Sequence, residues 1–264
     1  GMIDDSTGIV TALVLCDEET NVGYQLTLRD TIKRYGIPEC LYTDFRTVFQ
    51  TNKKLVLEEE LDGKELEATR FTKMCHRLGV DIISTRSPQA KGRIERLWET
   101  LQDRLTKELQ KASITTKKGA NDYINDVFLP RYNARFASEI DYTKNHFVKV
   151  AQDFDYNKEL ALPITRTALK GCYIKLNRQT FIIRRADGTI ANFRNSTKLT
   201  VFTCLDGTCY AERDNIRYLL APTVIPKKDI AEPAHRTPEE LSRIRSEAGK
   251  KNLNSPWRKH YAYA

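Results

Sequence analysis

The periodicity of the sequence changes near residue 150, and this change limits the fold more than any other feature. Up to that point, short runs of β-branched and apolar residues alternate with longer segments in which apolar residues recur every three or four positions. That alternation is typical of strands and helices in one α/β layer. From Leu169 to Leu220 the chain has only short β-rich runs, separated by turns such as Asp187-Gly188 and Asp206-Gly207. About five or six such strands in succession predict a small all-β barrel or sandwich.

The first region is predicted to open with a β-hairpin whose first strand begins at residue 2. Alternating elements follow, with strands at 39–43 and 80–84 and helices at 20–35, 66–77, about 90–109 and 117–137. Pro130 is expected to bend the last of these helices. We therefore predict three regions, which are an α/β domain over 1–150, a β-barrel over 160–222, and a basic tail with one short helix over 223–264.

The charge of the chain indicates a polyanionic partner. The sequence has 43 Lys and Arg against 35 Asp and Glu, a formal net charge of +8. Lys and Arg bind nucleic acids by displacing the cations condensed on the phosphates. About half of the net charge lies in residues 226–264, where Trp257–Tyr261 places aromatic rings among cations. That segment suits contact with DNA or a partner chain, although a disordered basic tail explains it equally well.

Several classes of protein and site are excluded or disfavoured. The longest apolar stretch, Ile9–Cys16, is far shorter than the roughly 20 residues of a membrane helix. No basic-then-apolar leader is visible, so a cytoplasmic protein with no membrane partner is expected. The six cysteines form no CxxC pair and do not cluster with the histidines, which disfavours a zinc site. Reduced, partly buried thiols are expected, without a disulfide between Cys204 and Cys209.

Two carboxylates are candidates for chemistry. Asp44 follows a buried strand, the position where open α/β sheets place ligand-handling groups, although an ordinary turn would also explain it. Glu95 lies at the flank of the apolar face of a long helix, from which it could lean over the sheet edge; an ordinary surface glutamate is the alternative. Cations surround Glu95 in the sequence and would suit a phosphodiester: Arg86, Lys91, Arg93, Arg96 and Arg104.

The motifs around these residues resemble a known family. YTDFRTVF (42–49) and SPQAKGRIERLWETLQDRL (87–105) follow a helix that ends in YGIP (35–38). In this order they resemble the catalytic core of DDE-type transposases and retroviral-type integrases, above all insertion-sequence transposases of the ISNCY type. YNARFA (132–137) resembles a motif after that core, the β-rich region resembles the C-terminal barrel of the family, and SPWRKH (255–260) resembles its terminal basic motif.

The resemblance implies an RNase H-like fold in which three carboxylates hold two divalent metal ions, Mg²⁺ or Mn²⁺. The implied activity is cleavage of phosphodiesters at transposon ends, followed by transfer of the freed 3′-hydroxyl to target DNA, with the enzyme working as a homo-oligomer. By position, Asp44 matches the second carboxylate and Glu95 the third. The residues expected to contact DNA are Arg46, Arg86, Gln89, Lys91, Arg93, Arg96, Arg104, Arg258 and Lys259.

The sequence departs from the family at the first carboxylate. The segment 2–16 matches the second and third strands of the fold, so the first, central strand and its Asp would lie before Met2. Asp4 and Asp5 match the second strand and its turn instead. We therefore expect an N-terminally truncated catalytic core of impaired activity, with neighbouring strands left unpaired.

Two other functions remain open at this point. The chain could be a non-catalytic DNA-binding or oligomerisation module derived from a transposase, with Asp44 and Glu95 as relics. A weaker alternative is an RNase H-like nuclease of another kind, which the SPQAKGRIER stretch and the barrel disfavour.

Overall fold

The fold is mixed α/β, and its strands form three separate sheets in a computed structural model that describes residues 1–50, 68–84, 88–138 and 145–225. Strands β1 (Met2–Ile3) and β2 (Val10–Ala12) make an antiparallel hairpin. Strands β3 (Cys40–Thr43) and β4 (Asp81–Ser84) make a parallel pair. These four strands confirm the hairpin and the strands predicted in the first region.

Helix α1 (Asn21–Tyr35) lies where the sequence predicts a helix. Its first turn is capped by the Thr20 hydroxyl, which accepts from the Gly23 amide at 3.2 Å. It ends at Gly36, whose φ of 110° belongs to the region that favours glycine. A Cβ on Gly36 would lie 2.5 Å from the Val148 carbonyl oxygen, so this close approach also requires glycine. The next helix, α2 (Arg70–Arg77), begins after Thr69, with 66–67 outside the described residues.

The two long helices of the first region are each interrupted by a π-helical turn. Helix α3 (Pro88–Thr100) passes through Leu101–Leu105 into α4 (Thr106–Lys111). Helix α5 (Lys117–Tyr123) passes through Ile124–Phe128 into α6 (Leu129–Phe136). The second π-helical turn ends at Phe128, two residues before Pro130. Proline has no amide hydrogen to donate to the preceding turn, which explains an irregular helix at the place where a bend was expected.

The principal core joins the first predicted region to the start of the second. Side chains from α1, α2 and the segment after β3 pack around Phe71, which has no exposed surface. Leu160 and Leu162, on the far side of the predicted boundary at 150–160, are buried in the same cluster. A second cluster packs β2 against α3 and the π-helical turns, around Val10, Leu97 and Ile124.

The β-rich region folds as a nearly closed, six-stranded antiparallel sheet whose order is β5-β8-β9-β10-β7-β6. Its edge strands β5 and β6 approach each other. This confirms the predicted run of short strands, with two corrections: the first strand was missed, and TIANF (189–193) contributes only an isolated bridge at Ile190. The strands are β5 (Leu162–Thr167), β6 (Tyr173–Leu176), β7 (Gln179–Arg184), β8 (Lys198–Thr203), β9 (Cys209–Arg213) and β10 (Ile216–Thr223).

Helix α2 is tied to this sheet by polar and aromatic contacts. The Arg77 guanidinium donates to the carbonyls of Glu159 and Ala161, at 2.6 and 3.1 Å, and lies over the Phe202 ring at 4.9 Å. Phe202 stacks on Tyr210 with 4.8 Å between ring centroids, and Arg217 covers the other ring at 5.2 Å. Arg77 therefore satisfies carbonyl groups and caps an aromatic stack at once.

A buried side-chain amide also joins α1 to the residues just before β5. The Gln25 side chain is almost fully buried and donates to the Leu160 carbonyl at 2.7 Å. Gln25→Met keeps the length of the side chain but leaves that carbonyl without its donor, which should lower the free energy of unfolding by about 1–3 kcal/mol. Urea denaturation measures the change. Gln102→Met, at an exposed position, is the control and should shift stability by less than about 0.5 kcal/mol.

Two further expectations from the sequence concern the cysteines and membrane-spanning helices. The six cysteines are all free in the structure. Among the described residues, no helix is both long enough and apolar enough to cross a membrane.

Candidate functional site

A groove of about 700 Å³ lies between the hairpin and the parallel strand pair. Met2 and Ile3 of β1 line one side, and all four residues of β3 line the other. Helix α1 lies beneath, contributing small side chains such as Thr27 and Thr31, and α3 contributes Trp98. The groove therefore passes directly between two strand edges.

Asp44 reaches this groove because it follows β3 at the carboxyl end of the strand. One carboxylate oxygen accepts from the Arg46 guanidinium at 2.9 Å, and the other accepts from the Arg46 backbone amide at 3.2 Å. The Arg46 guanidinium also pairs with Glu19. One cation thus bridges two carboxylates at the end of the strand.

Glu19 is in turn hydrogen-bonded by the Tyr24 hydroxyl, from the first turn of α1. Burial and that carboxylate raise the pKa of Tyr24 well above its usual range, so the phenol remains a donor. Burial opposes the charge on Arg46, but the carboxylates of Glu19 and Asp44 outweigh it and raise its pKa. The four side chains form one network, Tyr24–Glu19–Arg46–Asp44, with Asp44 already occupied by a cation.

Glu95 does not join Asp44 at the groove. Its side chain is exposed, and among the described residues of α3 the groove is lined by Arg93, Ile94 and Trp98. Ile94 and Trp98 are four residues apart and share a helix face. The sequence left two interpretations of Glu95 open, one in which it leans over the sheet edge and one in which it is an ordinary surface glutamate, and its exposed side chain is not among the residues that line the groove.

The two acids of the hairpin turn have different partners. Asp4 accepts hydrogen bonds from the Thr7 amide and the Ser6 hydroxyl, at 2.9 and 2.8 Å. Burial opposes the ionisation of Asp4, but these hydrogen bonds prevail and lower its pKa. Asp5 lies 3.4 Å from the Arg93 guanidinium. Asp4 therefore stabilises its own turn. This agrees with its expected position in the turn after the strand that begins at residue 2.

The described residues do not fit a two-metal centre. They contain no group of three His, Cys, Asp or Glu side chains placed to hold one metal ion. The carboxylates of Asp44 and Glu19 come together around the Arg46 guanidinium, which takes the place that a cation would need. Of the two predicted ligands, Asp44 is among the residues that line the groove and Glu95 is not.

The other residues predicted to contact DNA fall into three groups. Arg96 is exposed on α3, and Arg104 lies 5.7 Å from the Phe136 ring centroid, so both belong to the outer surface of the helical layer. Gln89 and Lys91 lie in α3, but their side chains are outside the described part of the chain. Arg86, Arg258 and Lys259 are outside the described residues altogether.

The structure shows a basic surface that the sequence analysis missed. Residues 160–223 carry ten Lys and Arg against four Asp and Glu, a net charge of +6, whereas residues 1–159 have 24 against 26. Two loops at one end of the six-stranded sheet are joined by hydrogen bonds, including Lys170 amide to Asn195 side chain at 3.1 Å and Ala168 amide to Thr197 carbonyl at 2.8 Å. We call their exposed cations the basic end of the sheet: Lys170, Arg194 and Lys198.

Comparison with known proteins shows that the chain is similar to transposases. The chain is 30% identical over 210 residues to the transposase for insertion sequence IS1202 of Streptococcus pneumoniae, and 35% identical over 135 residues to the putative transposase y4bF of Sinorhizobium fredii. The predicted resemblance to insertion-sequence transposases is confirmed. The alignments cover 79% and 51% of this chain but 43% and 28% of these transposases. No family model matches the chain.

Two residues of the network at Asp44, Glu19 and Tyr24, were passed over by reasoning from the sequence. Glu19 and Tyr24 were not singled out, because they lie about 20 residues before Asp44 and only the fold brings them to the end of β3. Arg46 was assigned to DNA, but its guanidinium is held by two carboxylates. A signal for this was present, since an arginine two residues after a strand-terminal aspartate is well placed to pair with it.

Proposed function

We propose that this chain derives from the RNase H-like core of a DNA-transposing enzyme, in which Asp44 and Glu95 match two of the metal-binding carboxylates, and that the two are not brought together in this chain. The observation that carries the proposal is the position of Asp44 at the carboxyl end of a parallel strand, beside a groove, in a chain similar to transposases. The order of elements also supports it: an antiparallel hairpin, a helix, a strand, a helix, a parallel strand and a long helix.

By itself the chain is proposed to be impaired in catalysis. Divalent ions such as Mg²⁺ bind carboxylate oxygens and would stabilise charge on the transferred phosphate when present. Among the described residues, Asp44 lies at the groove and is neutralised by Arg46, whereas Glu95 is exposed and does not line the groove. From this arrangement we expect a chain that binds DNA but does not cut or join it efficiently.

The direct test is a strand-transfer and nicking assay with labelled transposon-end DNA in Mg²⁺ or Mn²⁺. We expect no product above background from this chain. Robust activity that Asp44→Asn abolishes would overturn the proposed impairment and support Asp44 as a ligand. The matched control is Asp30→Asn. It removes another carboxylate that is paired with an arginine, Arg29 on α1.

Arg46 offers a test of the metal assignment that does not depend on activity. Arg46→Gln removes the cation between Glu19 and Asp44, so we expect Mn²⁺ to bind at least about tenfold more tightly, because the repulsion by the guanidinium is lost and both carboxylates are freed. Electron paramagnetic resonance of free Mn²⁺ measures the affinity. Arg29→Gln, which frees Asp30 alone, should leave it unchanged. Equal affinity in both variants would contradict a metal role for Asp44.

A non-catalytic DNA-binding module is the second candidate, and the basic end of the sheet favours it. Its cations are exposed, and none of them is among the residues that line the groove of Asp44 and Glu19, so DNA binding does not require an intact metal site. We propose that DNA is bound through this surface in either case, and that the chain self-associates as transposases of this kind are expected to do. Analytical ultracentrifugation tests self-association.

A further inference from the structure

The groove beside Asp44 has the composition of a surface that contacts another chain. Three large apolar side chains line it and are between 40 and 57% exposed: Leu15, Tyr42 and Trp98. Single apolar residues scattered over a protein surface are normal, whereas several around one groove indicate an interaction site. The volume of about 700 Å³ falls within the range of pockets that take up the groups of a partner.

The rim of this groove is acidic. Six carboxylates and two guanidinium groups line the groove, which gives these side chains a net charge of −4. We call the exposed carboxylates among them the acidic rim: Asp5, Asp17, Glu18 and Glu19. A phosphate backbone would be repelled at this point, so the chemistry of the groove fits a basic protein surface and not a nucleic acid.

The cations already near the rim leave it open to a partner. Asp5 lies 3.4 Å from the Arg93 guanidinium and Asp17 pairs with Lys117, and every side chain in these two pairs is at least 45% exposed. Exposed ion pairs of this kind contribute little to stability, because water screens them and their long side chains lose freedom. The rim carboxylates can therefore exchange these cations for those of another chain.

The complementary surface lies on the same chain. Residues 160–223 have a net charge of +6, whereas residues 1–159 have a net charge of −2. In the described part of the chain, no carboxylate forms an ion pair with the three cations of the basic end of the sheet, Lys170, Arg194 and Lys198. Hydrogen bonds join their two loops, so the cations are presented together.

We propose that the basic end of the sheet of one copy docks on the acidic rim of a second copy. The ammonium and guanidinium groups pair with the rim carboxylates, and the methylene stems of the lysines and the arginine cover the exposed apolar side chains of the groove. Because the two surfaces are different parts of the chain, the contact is head-to-tail.

The docked cations are those proposed to bind DNA, so docking and DNA binding exclude each other at the basic end of the sheet. This inference rests on the proposed function only for self-association, and it names the two surfaces that self-association uses.

The test is a charge exchange between the two surfaces of the full chain, without DNA or metal. The rim variant carries Asp5→Lys, Asp17→Lys and Glu18→Lys. The end variant carries Lys170→Glu, Arg194→Glu and Lys198→Glu. In each variant alone the two surfaces have the same sign, so we expect the dissociation constant of self-association to rise at least about tenfold in about 0.05 M salt.

An equimolar mixture of the two variants restores opposite charges at the contact. We expect the mixture to associate with a dissociation constant within about threefold of that of the unchanged chain. Sedimentation equilibrium measures these constants. If either triple variant loses its circular dichroism signal, the single exchanges Glu18→Lys and Lys170→Glu are mixed instead, with a smaller effect of the same sign.

Net charge alone is separated from the specific contact in two ways. The matched control for the rim variant reverses three exposed carboxylates that do not line the groove, Asp103→Lys, Asp122→Lys and Asp126→Lys, and should change the constant by less than about threefold. The end variant lowers the formal net charge from +8 to +2, which by itself would favour association. A loss of association in the end variant therefore cannot come from net charge.

Three results would overturn the proposal. One is a mixture that associates no better than either variant alone, and another is an equal loss in the rim variant and its control. The third is an unchanged chain that stays monomeric at every concentration, which also removes self-association from the proposed function. The assays of DNA cleavage and of Mn²⁺ binding use other measurements, so the proposed chemistry fails or holds separately.

Discussion

Replacing the basic end of the sheet by glutamate (Lys170→Glu, Arg194→Glu and Lys198→Glu together) is expected to weaken binding to duplex DNA by about 10²–10³-fold in 0.1 M salt. Each lost phosphate contact also lowers the slope of log affinity against log salt by roughly 0.9. The slope of the triple variant should therefore fall by about 3. The physical reason is the loss of three exposed cations where the net charge of the chain is concentrated.

Two of the three cations lie on loops that hydrogen bonds hold together, and the third begins a strand. Lys170 and Arg194 lie on the two loops joined by the Lys170–Asn195 and Phe193–Gly171 hydrogen bonds, the latter at 2.7 Å. Lys198 begins β8, where its carbonyl accepts from Arg213 at 3.1 Å. The cations are thus fixed near one another on rigid elements, which favours simultaneous contact with successive phosphates.

A variant of equal charge separates a specific surface from the effect of net charge. Lys107→Glu, Lys111→Glu and Lys118→Glu reverse three exposed cations near the ends of α4 and α5. Fluorescence anisotropy with labelled duplex at several salt concentrations compares the two triple variants. If both lose the same affinity and the same slope, DNA binding is a property of overall charge and the assignment to the sheet is wrong.

The largest effect on stability is expected at Phe71. Phe71→Ala should lower the free energy of unfolding by about 3–5 kcal/mol, through lost burial and the cavity that remains. The Phe71 side chain is fully buried, and its ring lies 5.7 Å from that of Tyr24 and 5.6 Å from that of Phe49. Such edge-to-face contacts add about 0.5–1.5 kcal/mol each to the burial of the rings.

The consequence should extend into the six-stranded sheet, because Leu160 and Leu162 share the cluster of Phe71. The free energy of unfolding is measured by urea denaturation, which is monitored by both circular dichroism and tryptophan fluorescence. Ile216→Ala, at an exposed position on β10, is the control and should cost under about 1 kcal/mol. A loss at Phe71 no greater than at Ile216 would mean that the shared core contributes little.

Local pattern was enough to locate most of the elements. The period of the apolar residues predicts α1, β3 and β4 to within one residue and the end of α2 at Arg77, because helix and strand formation depends on neighbours along the chain. The short runs with Asp-Gly turns likewise predict the six-stranded sheet. Its first strand, β5, was missed because LPITRT contains a proline and lies before the β-rich runs that begin at Leu169.

The candidate site was only partly predictable, because local patterns show motifs but not contacts between residues distant in the sequence. The sequence by itself determined the element order, the position of Asp44 after a strand and the similarity to transposases, all of which are carried by local motifs. Tertiary structure alone decided that Arg46 bridges Asp44 and Glu19, that the groove is lined by Arg93, Ile94 and Trp98 of α3 and not by Glu95, and that Leu160 and Leu162 complete the first core. These outcomes depend on side chains distant in sequence meeting in space, which local patterns do not show.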